Sequence, residues 1–133
     1  MGEVLFMSLW SSNTMFLTEK SIDYLWRKQE VSAHNIANSE TPNFKSSYVT
    51  FEEELRDQIG KMRSTKAKDI RERIAHAAPR VHVTEGEKNK LDESNVDIVA
   101  ENAELAKSGI QYEYAVRSIS NDFARLRTAI KGQ

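Results

Sequence analysis

The segment LAKSGIQYEYAVRSISNDFARLRTAI, residues 105–130, has apolar residues that recur at one regular spacing. Steps of four and three residues alternate along it, with Gly109 occupying one place in the series. Such spacing predicts the heptad seam of a long helix that packs against another helix. The apolar residues of this C-terminal seam are Leu105, Tyr112, Val116, Ile119, Phe123, Leu126 and Ile130.

The charged residues between these seam positions predict a polar opposite face on the same helix. They are Glu104, Lys107, Glu113, Arg117, Asp122, Arg125 and Lys131. Ser94, Asn95 or Asp97 can cap the start of the helix, and Glu101 adds a negative charge near its positive end.

A weaker seam of the same kind lies near the N-terminus. It comprises Met15, Ile22, Trp26, Gln29, Ala33 and Ile36. A helix of this kind is marginal until its apolar stripe is buried. We therefore expect an all-α chain whose long N-terminal and C-terminal helices pair as an antiparallel coiled coil. Two alternatives remain open: the seams are buried inside a monomeric hairpin, or they are buried between subunits.

The middle of the chain differs from both ends and divides the sequence into residues 1–45, 46–94 and 95–133. Thr50 and Glu53 form a capping box for a short helix with an apolar side at Phe51, Leu55, Ile59 and Met62. Residues 61–80 carry seven basic side chains against two acidic ones, and residues 85–104 carry seven acidic against two basic ones. We expect these blocks to contact each other or neighbouring subunits, with residues 64–94 as a partly irregular, flexible connector.

Composition excludes several classes of function. The chain has 133 residues, a net charge of -1 and no cysteine, which leaves one modest domain without disulfides or thiol chemistry. His34, His76 and His82 have no ligand-like spacing, and there is no glycine-rich phosphate loop, so we predict no enzyme, metal or cofactor. The basic block lacks interleaved aromatics, which argues against nucleic acid. We expect neither a cleaved signal peptide nor a membrane span.

The segment AHNIANSETPNFK, residues 33–45, concentrates helix-ending residues. Asn38 can adopt the left-handed conformation at a helix C-terminus. Pro42 cannot continue a helix, so Thr41 to Phe44 predict a tight turn with Asn43 at its tolerant third position. Such a turn directs the Phe44 ring back toward an apolar surface. The small side chains of Ala33 and Ala37 leave room beside this corner for another backbone.

This segment resembles the N-terminal signature of the bacterial flagellar axial proteins, the rod and hook family. The matching residues are Ala33, Asn35, Ile36, Ala37, Asn38, Thr41, Pro42, Phe44 and Lys45. The C-terminal segment beginning SNVDIVAEN, at residue 94, is similar to the last helix of the same family. The short chain without an inserted domain most resembles the subunits of the basal-body rod in its proximal part.

The resemblance implies a structural subunit that polymerises through its terminal helices into the drive shaft crossing the periplasm. Its implied partners are copies of itself, other rod subunits, the inner-membrane ring, the rod-junction protein and the export gate, with no nucleic acid or small-molecule substrate. It also implies type III export without a cleaved signal. A cytoplasmic helical adaptor or export chaperone, or another rod subunit of the same family, remains the alternative.

Overall fold

The computed structural model describes residues 2–51, 53, 55–56, 67–84 and 95–131, and the side chains within these ranges except 2–12 and 67–69. The chain order is helix α1 (Gly2–Ala37), strand β1 (Ser47–Thr50), helix α2 (Ala67–His76), strand β2 (Arg80–Val83) and helix α3 (Ile98–Lys131). Two long helices dominate the described residues, which confirms the predicted helical class.

Helices α1 and α3 pack against each other in antiparallel orientation. Asn35 contacts Glu101, and Lys28 forms an ion pair with Glu104. Farther along, the ring centroids of Trp26 and Tyr112 lie 6.4 Å apart. Positions fall along α1 as they rise along α3, so the helices run in opposite directions and the predicted pairing of the two chain ends is confirmed.

The residues buried at this interface differ from the predicted seams. On α1, Leu25, Ser32 and Asn35 are buried, whereas Trp26 is 61% exposed and Ala33 is also exposed. On α3 the fully buried residue is Ser108, next to the predicted Gly109. The serine and asparagine side chains are small enough to let the helices approach closely. An apolar periodicity therefore does not identify the contact line here, because part of that line is polar.

A two-stranded antiparallel hairpin packs on one side of the helix pair. Strand β1 pairs with β2, with Ser47 opposite Val83 and Thr50 opposite Arg80. Val49 and Phe51 are buried, and the Phe51 ring stacks on Tyr24 of α1 with centroids 5.3 Å apart. The sequence analysis did not predict this hairpin.

Part of the predicted connector is regular structure. Helix α2 packs against α1 and buries Ile74, and Ala77 directly after it is also buried. Lys20 donates a hydrogen bond to the carbonyl of Ala75, and the Phe16 ring lies 5.6 Å from the guanidinium of Arg71. Helix α2 and strand β2 are therefore regular structure within a segment that the sequence assigned to a partly irregular, flexible connector.

The structure describes only part of the predicted short helix and of the two charge blocks. Residues 53, 55 and 56 are helical, with the Leu55 amide donating to the Phe51 carbonyl at 2.8 Å. Ile59 and Met62 lie outside the described residues, as does much of the acidic block. Glu101 and Glu104 of that block bind residues of α1, not the basic block.

Candidate functional site

Helix α1 ends through the side chain of Asn38. Its amide nitrogen Nδ2 donates to the carbonyl of His34 at 2.8 Å, while its backbone N–H reaches the carbonyls of His34 and Asn35. The prediction of a left-handed Asn38 is wrong, because Asn43 is the one described non-glycine residue with a positive φ. Because Asn38 binds carbonyls of the last turn through both its side chain and its backbone N–H, the helix ends here without a left-handed residue at this position.

The predicted tight turn follows at once. The Phe44 N–H donates to the Thr41 carbonyl at 3.2 Å, and Asn43 has φ 59° at the third position. Pro42 supplies the fixed φ of the second position. The Phe44 ring packs 5.5 Å from the ring of His34, back on α1. Thr41, Pro42 and Lys45 are exposed, as is Ala37.

Asn35 is fully buried and joins three elements. Its Oδ1 accepts a hydrogen bond from the Ser47 N–H at 2.9 Å, and its Nδ2 donates to the Ser47 carbonyl at 2.7 Å. The same Nδ2 donates to Glu101 Oε1 at 2.8 Å. The amide therefore pairs with β1 as a neighbouring strand would, and also holds the first turn of α3. A buried asparagine needs hydrogen-bond partners for its side-chain amide. That need is the signal in the sequence from which the linking role of Asn35 could have been predicted.

The start of α3 meets the same corner. Asn95 Oδ1 accepts from the Ser46 N–H at 2.8 Å, beside the bond from the Thr84 N–H to the Ser46 carbonyl. Asp97 is the cap, since its Oδ1 accepts from the amides of residues 99 and 100. The two segments that carry the family resemblance are thus bonded to each other through β1, a contact that sequence reasoning did not predict.

An ion pair between Lys28 and Glu104 lies next to this corner. Burial acts to lower the pKa of Lys28, but Glu104 and Tyr24 together outweigh it and raise the pKa above its ordinary value. The hydrogen bond from Lys28 lowers the pKa of Glu104 against the opposing effect of burial. The pair lines a groove between β1 and α3, together with Lys107. Its charges balance, and its lining residues include no histidine or cysteine nucleophile.

The predicted seams lie together on the side of the helix pair that faces away from the β-hairpin. At about 100° per residue, most of the α1 seam and the positions of Leu105, Gly109 and Val116 on α3 are rotated by roughly 50 to 100° from the line of helix contact, whereas Ile119 and Leu126 lie within about 20° of Ser108 on that line. In an antiparallel pair these rotations lead to the same side. We call this surface the seam face. It comprises Ile22, Trp26, Gln29 and Ala33 of α1 with Leu105, Gly109, Tyr112 and Val116 of α3.

Exposure within the seam rises toward the end of α3. Ile22, Leu105, Tyr112, Val116 and Ile119 are half-buried. Phe123 is 57% exposed, and Leu126 and Ile130 are exposed as well. The distal seam is therefore an apolar surface that the described part of the chain leaves open to solvent.

A second apolar surface on α3 was missed by the sequence analysis. It lies opposite the contact with α1 and comprises Val99, Ala103, Ala106, Ile110 and Tyr114, all exposed. We call it the outer face. The predicted polar face therefore also carries apolar residues, and Glu104, assigned to that face, lies at the helix interface instead. The signal was present as a second series with steps of four, three, four and four residues.

No helix among the described residues is long and apolar enough to cross a membrane. Within the same residues, no three histidine, aspartate or glutamate side chains converge as a metal site would require.

Comparison with known proteins gives one consistent result. No family model matches the chain. A Bacillus subtilis protein named flagellar basal body rod protein FlgB is 27% identical over 95% of this chain and 98% of its own length. A protein of the same name from Aquifex aeolicus is 26% identical over 88% of this chain and 92% of its own length. One from Borrelia hermsii is 47% identical over 41% of each chain.

Proposed function

From the chain's relationship to the flagellar basal body rod proteins named FlgB, we propose that it is a structural subunit of the rod in its proximal part. Relatives from diverse bacteria match most of the chain's length under one name. The fold suits a structural role, because two long helices distribute load over many packing contacts.

The observation that carries the proposal at the level of residues is the uncovered apolar surface along the two predicted seams. Trp26 of α1 and Phe123 of α3 are both more than half exposed. A small chain with such exposed apolar side chains along its two long helices is expected to bury them against another protein. In a rod the covering protein is a neighbouring subunit.

The same proposal covers the export, the location and the partners of the subunit. The subunit is exported without a cleaved signal and assembles in the periplasmic space. It contacts copies of itself, other rod subunits, the inner-membrane ring, the rod-junction protein and the export gate. Residues 33–45 act as the corner that fixes the helix pair, and the seam acts as the assembly surface.

Phe123→Asp tests the assembly surface. Because Phe123 is 57% exposed in the single chain, its replacement costs little folding free energy, whereas a charge buried between subunits costs several kcal/mol. We expect cells producing this variant to make the subunit at normal levels, to be non-motile and to lack rods. Gln111→Asp is the matched control, since Gln111 is exposed on α3 outside both apolar faces. Motile cells with normal rods for Phe123→Asp would contradict the assignment of the seam.

A further inference from the structure

Strand β1 has two edges, and only one of them faces β2. In an antiparallel pair, every second residue directs its N–H and C=O toward the partner strand, and the residues between direct theirs to the opposite edge. The Thr84 N–H donates to the Ser46 carbonyl at 2.8 Å, so Ser46 and Tyr48 face β2. The backbone groups of Ser47 and Val49 therefore point to the other edge.

The Asn35 side chain completes this second edge at Ser47. It exchanges two hydrogen bonds with the N–H and carbonyl of Ser47, as a residue of a third strand would. Two residues farther on, the N–H and carbonyl of Val49 point in the same direction, and no hydrogen bond joins them to another described residue. Val49 is only 9% exposed, and buried backbone groups are nearly always paired. A partner from outside the described residues must therefore serve Val49.

The open edge at Val49 borders the groove between β1 and α3. The groove holds about 450 Å³, which is within the size range of natural ligand sites. Helix α1 lines it with Val31 and Ser32, and α3 lines it with Ala100 and Glu104. Because helices border the groove on the sides away from β1, a single strand fits there and the edge of a folded sheet does not. Both described strands of this chain are already paired with each other. The groove therefore suits an extended segment that has no strand partner of its own.

We propose that an extended peptide of another protein binds in this groove as a third strand next to β1. One of its residues exchanges two hydrogen bonds with Val49, in the way that Asn35 does with Ser47. Addition of a strand to an open sheet edge is a recurring mode of peptide recognition, in which main-chain hydrogen bonds supply the affinity. None of the seam residues lines the groove, so this contact is separate from the assembly surface and does not depend on the proposed rod function.

The charges of the groove favour an acidic side chain on this peptide. Glu104 pairs with Lys28, and Glu101 accepts a hydrogen bond from Asn35. Lys107 is exposed at the groove and forms no hydrogen bond or ion pair with another described residue. A carboxylate on the peptide can bind the Lys107 ammonium without breaking either existing contact. Such a charge pair chiefly selects the peptide and sets its register.

Amide hydrogen exchange, followed by NMR on the full-length protein, tests the open edge. The Tyr48 N–H faces β2 and should exchange slowly, whereas the Val49 N–H should exchange at least about tenfold faster. Equal protection of the two amides would overturn the proposal. Protection of Val49 that rises with protein concentration would identify a second copy as the occupant, and protection independent of concentration would identify another segment of the same chain.

The probe for binding is a panel of synthetic end-capped peptides of about six residues, the usual length of a strand, with a central glutamate among valines and threonines. A saturating peptide should slow the exchange of Val49 about tenfold and leave Tyr48 unchanged. The same peptides with N-methylated backbone amides keep their side chains and lose their donors, so they should not protect Val49. Equal binding of methylated and unmethylated peptides, or no protection of Val49 by any member of the panel, would overturn the proposal.

Lys107→Glu tests the acidic side chain of the peptide. Lys131→Glu is the matched control, because Lys131 is exposed on the same helix and lies outside the groove. We expect Lys107→Glu to weaken binding of the glutamate peptides several-fold and to strengthen binding of peptides with lysine in its place. The control should change neither. If the two variants bound both kinds of peptide alike, the contact between Lys107 and an acidic residue would be refuted.

Discussion

Replacing Asn35 by aspartate should destabilise the protein far more than its small change in shape suggests. Asn35 is fully buried, and the substitution keeps the acceptor for the Ser47 N–H. It removes both donated hydrogen bonds, to the Ser47 carbonyl and to Glu101. It also places a second carboxylate against Glu101, and burial of an unpaired charge is costly.

The magnitude follows from the two lost donors. An unsatisfied buried polar group costs about 1–3 kcal/mol, so two such groups give about 2–6 kcal/mol at neutral pH. Since small domains have about 5–15 kcal/mol of stability in total, the loss is large enough to measure. Part of it should return in acid, where a protonated carboxyl can again donate one hydrogen bond.

Urea unfolding followed by circular dichroism measures the effect. Asn43→Asp is the matched control, because Asn43 is exposed and aspartate also tolerates its positive φ. We expect the control to change the free energy of unfolding by less than about 0.5 kcal/mol. If both variants unfolded at the same urea concentration, the role of Asn35 as the link between α1, β1 and α3 would be refuted.

Two further predictions concern the helix pair. Gly109→Ala should raise the free energy of unfolding by about 0.5–1 kcal/mol, because a Cβ fits without contact and alanine favours the helix. A lower melting temperature for this variant would show that the space beside Gly109 is not open. The folded state lowers the pKa of Glu104, so stability should fall as the pH drops below 4.5, the ordinary pKa of Glu. The folded state raises the pKa of Lys28, so stability should also fall as the pH rises above 10.5, the ordinary pKa of Lys. Glu104→Gln should flatten the acid limb of a pH titration of melting temperature, and an unchanged limb would contradict the assignment.

The sequence predicted best where local chemistry leaves few choices. Pro42 followed by Asn43 permits one kind of turn, and the structure has that turn with φ 59° at Asn43. The heptad spacing of α3 likewise predicted a long helix, because period and length are local properties. The way in which Asn38 ends α1 was harder to predict, because an asparagine can end a helix through its backbone conformation or through its side chain.

Features that depend on distant partners could not be obtained from the sequence in this way. The contact line of the helix pair includes Ser32, Asn35 and Ser108, and a search for apolar periodicity passes over such residues. Strand β2 is short and lies in a charged region, and its pairing with β1 depends on a partner about 30 residues earlier in the chain. The outer face was overlooked because a stronger apolar series runs along the same helix.

The location of the subunit in the cell tests the proposed rod function. Basal bodies would be isolated from flagellated cells in which this chain carries a small epitope tag, then labelled and imaged by electron microscopy. The rod function predicts label on the rod next to the inner-membrane ring. Label confined to the cytoplasmic fraction, with unlabelled rods in the same cells, would contradict it and favour an adaptor or chaperone that stays inside the cell.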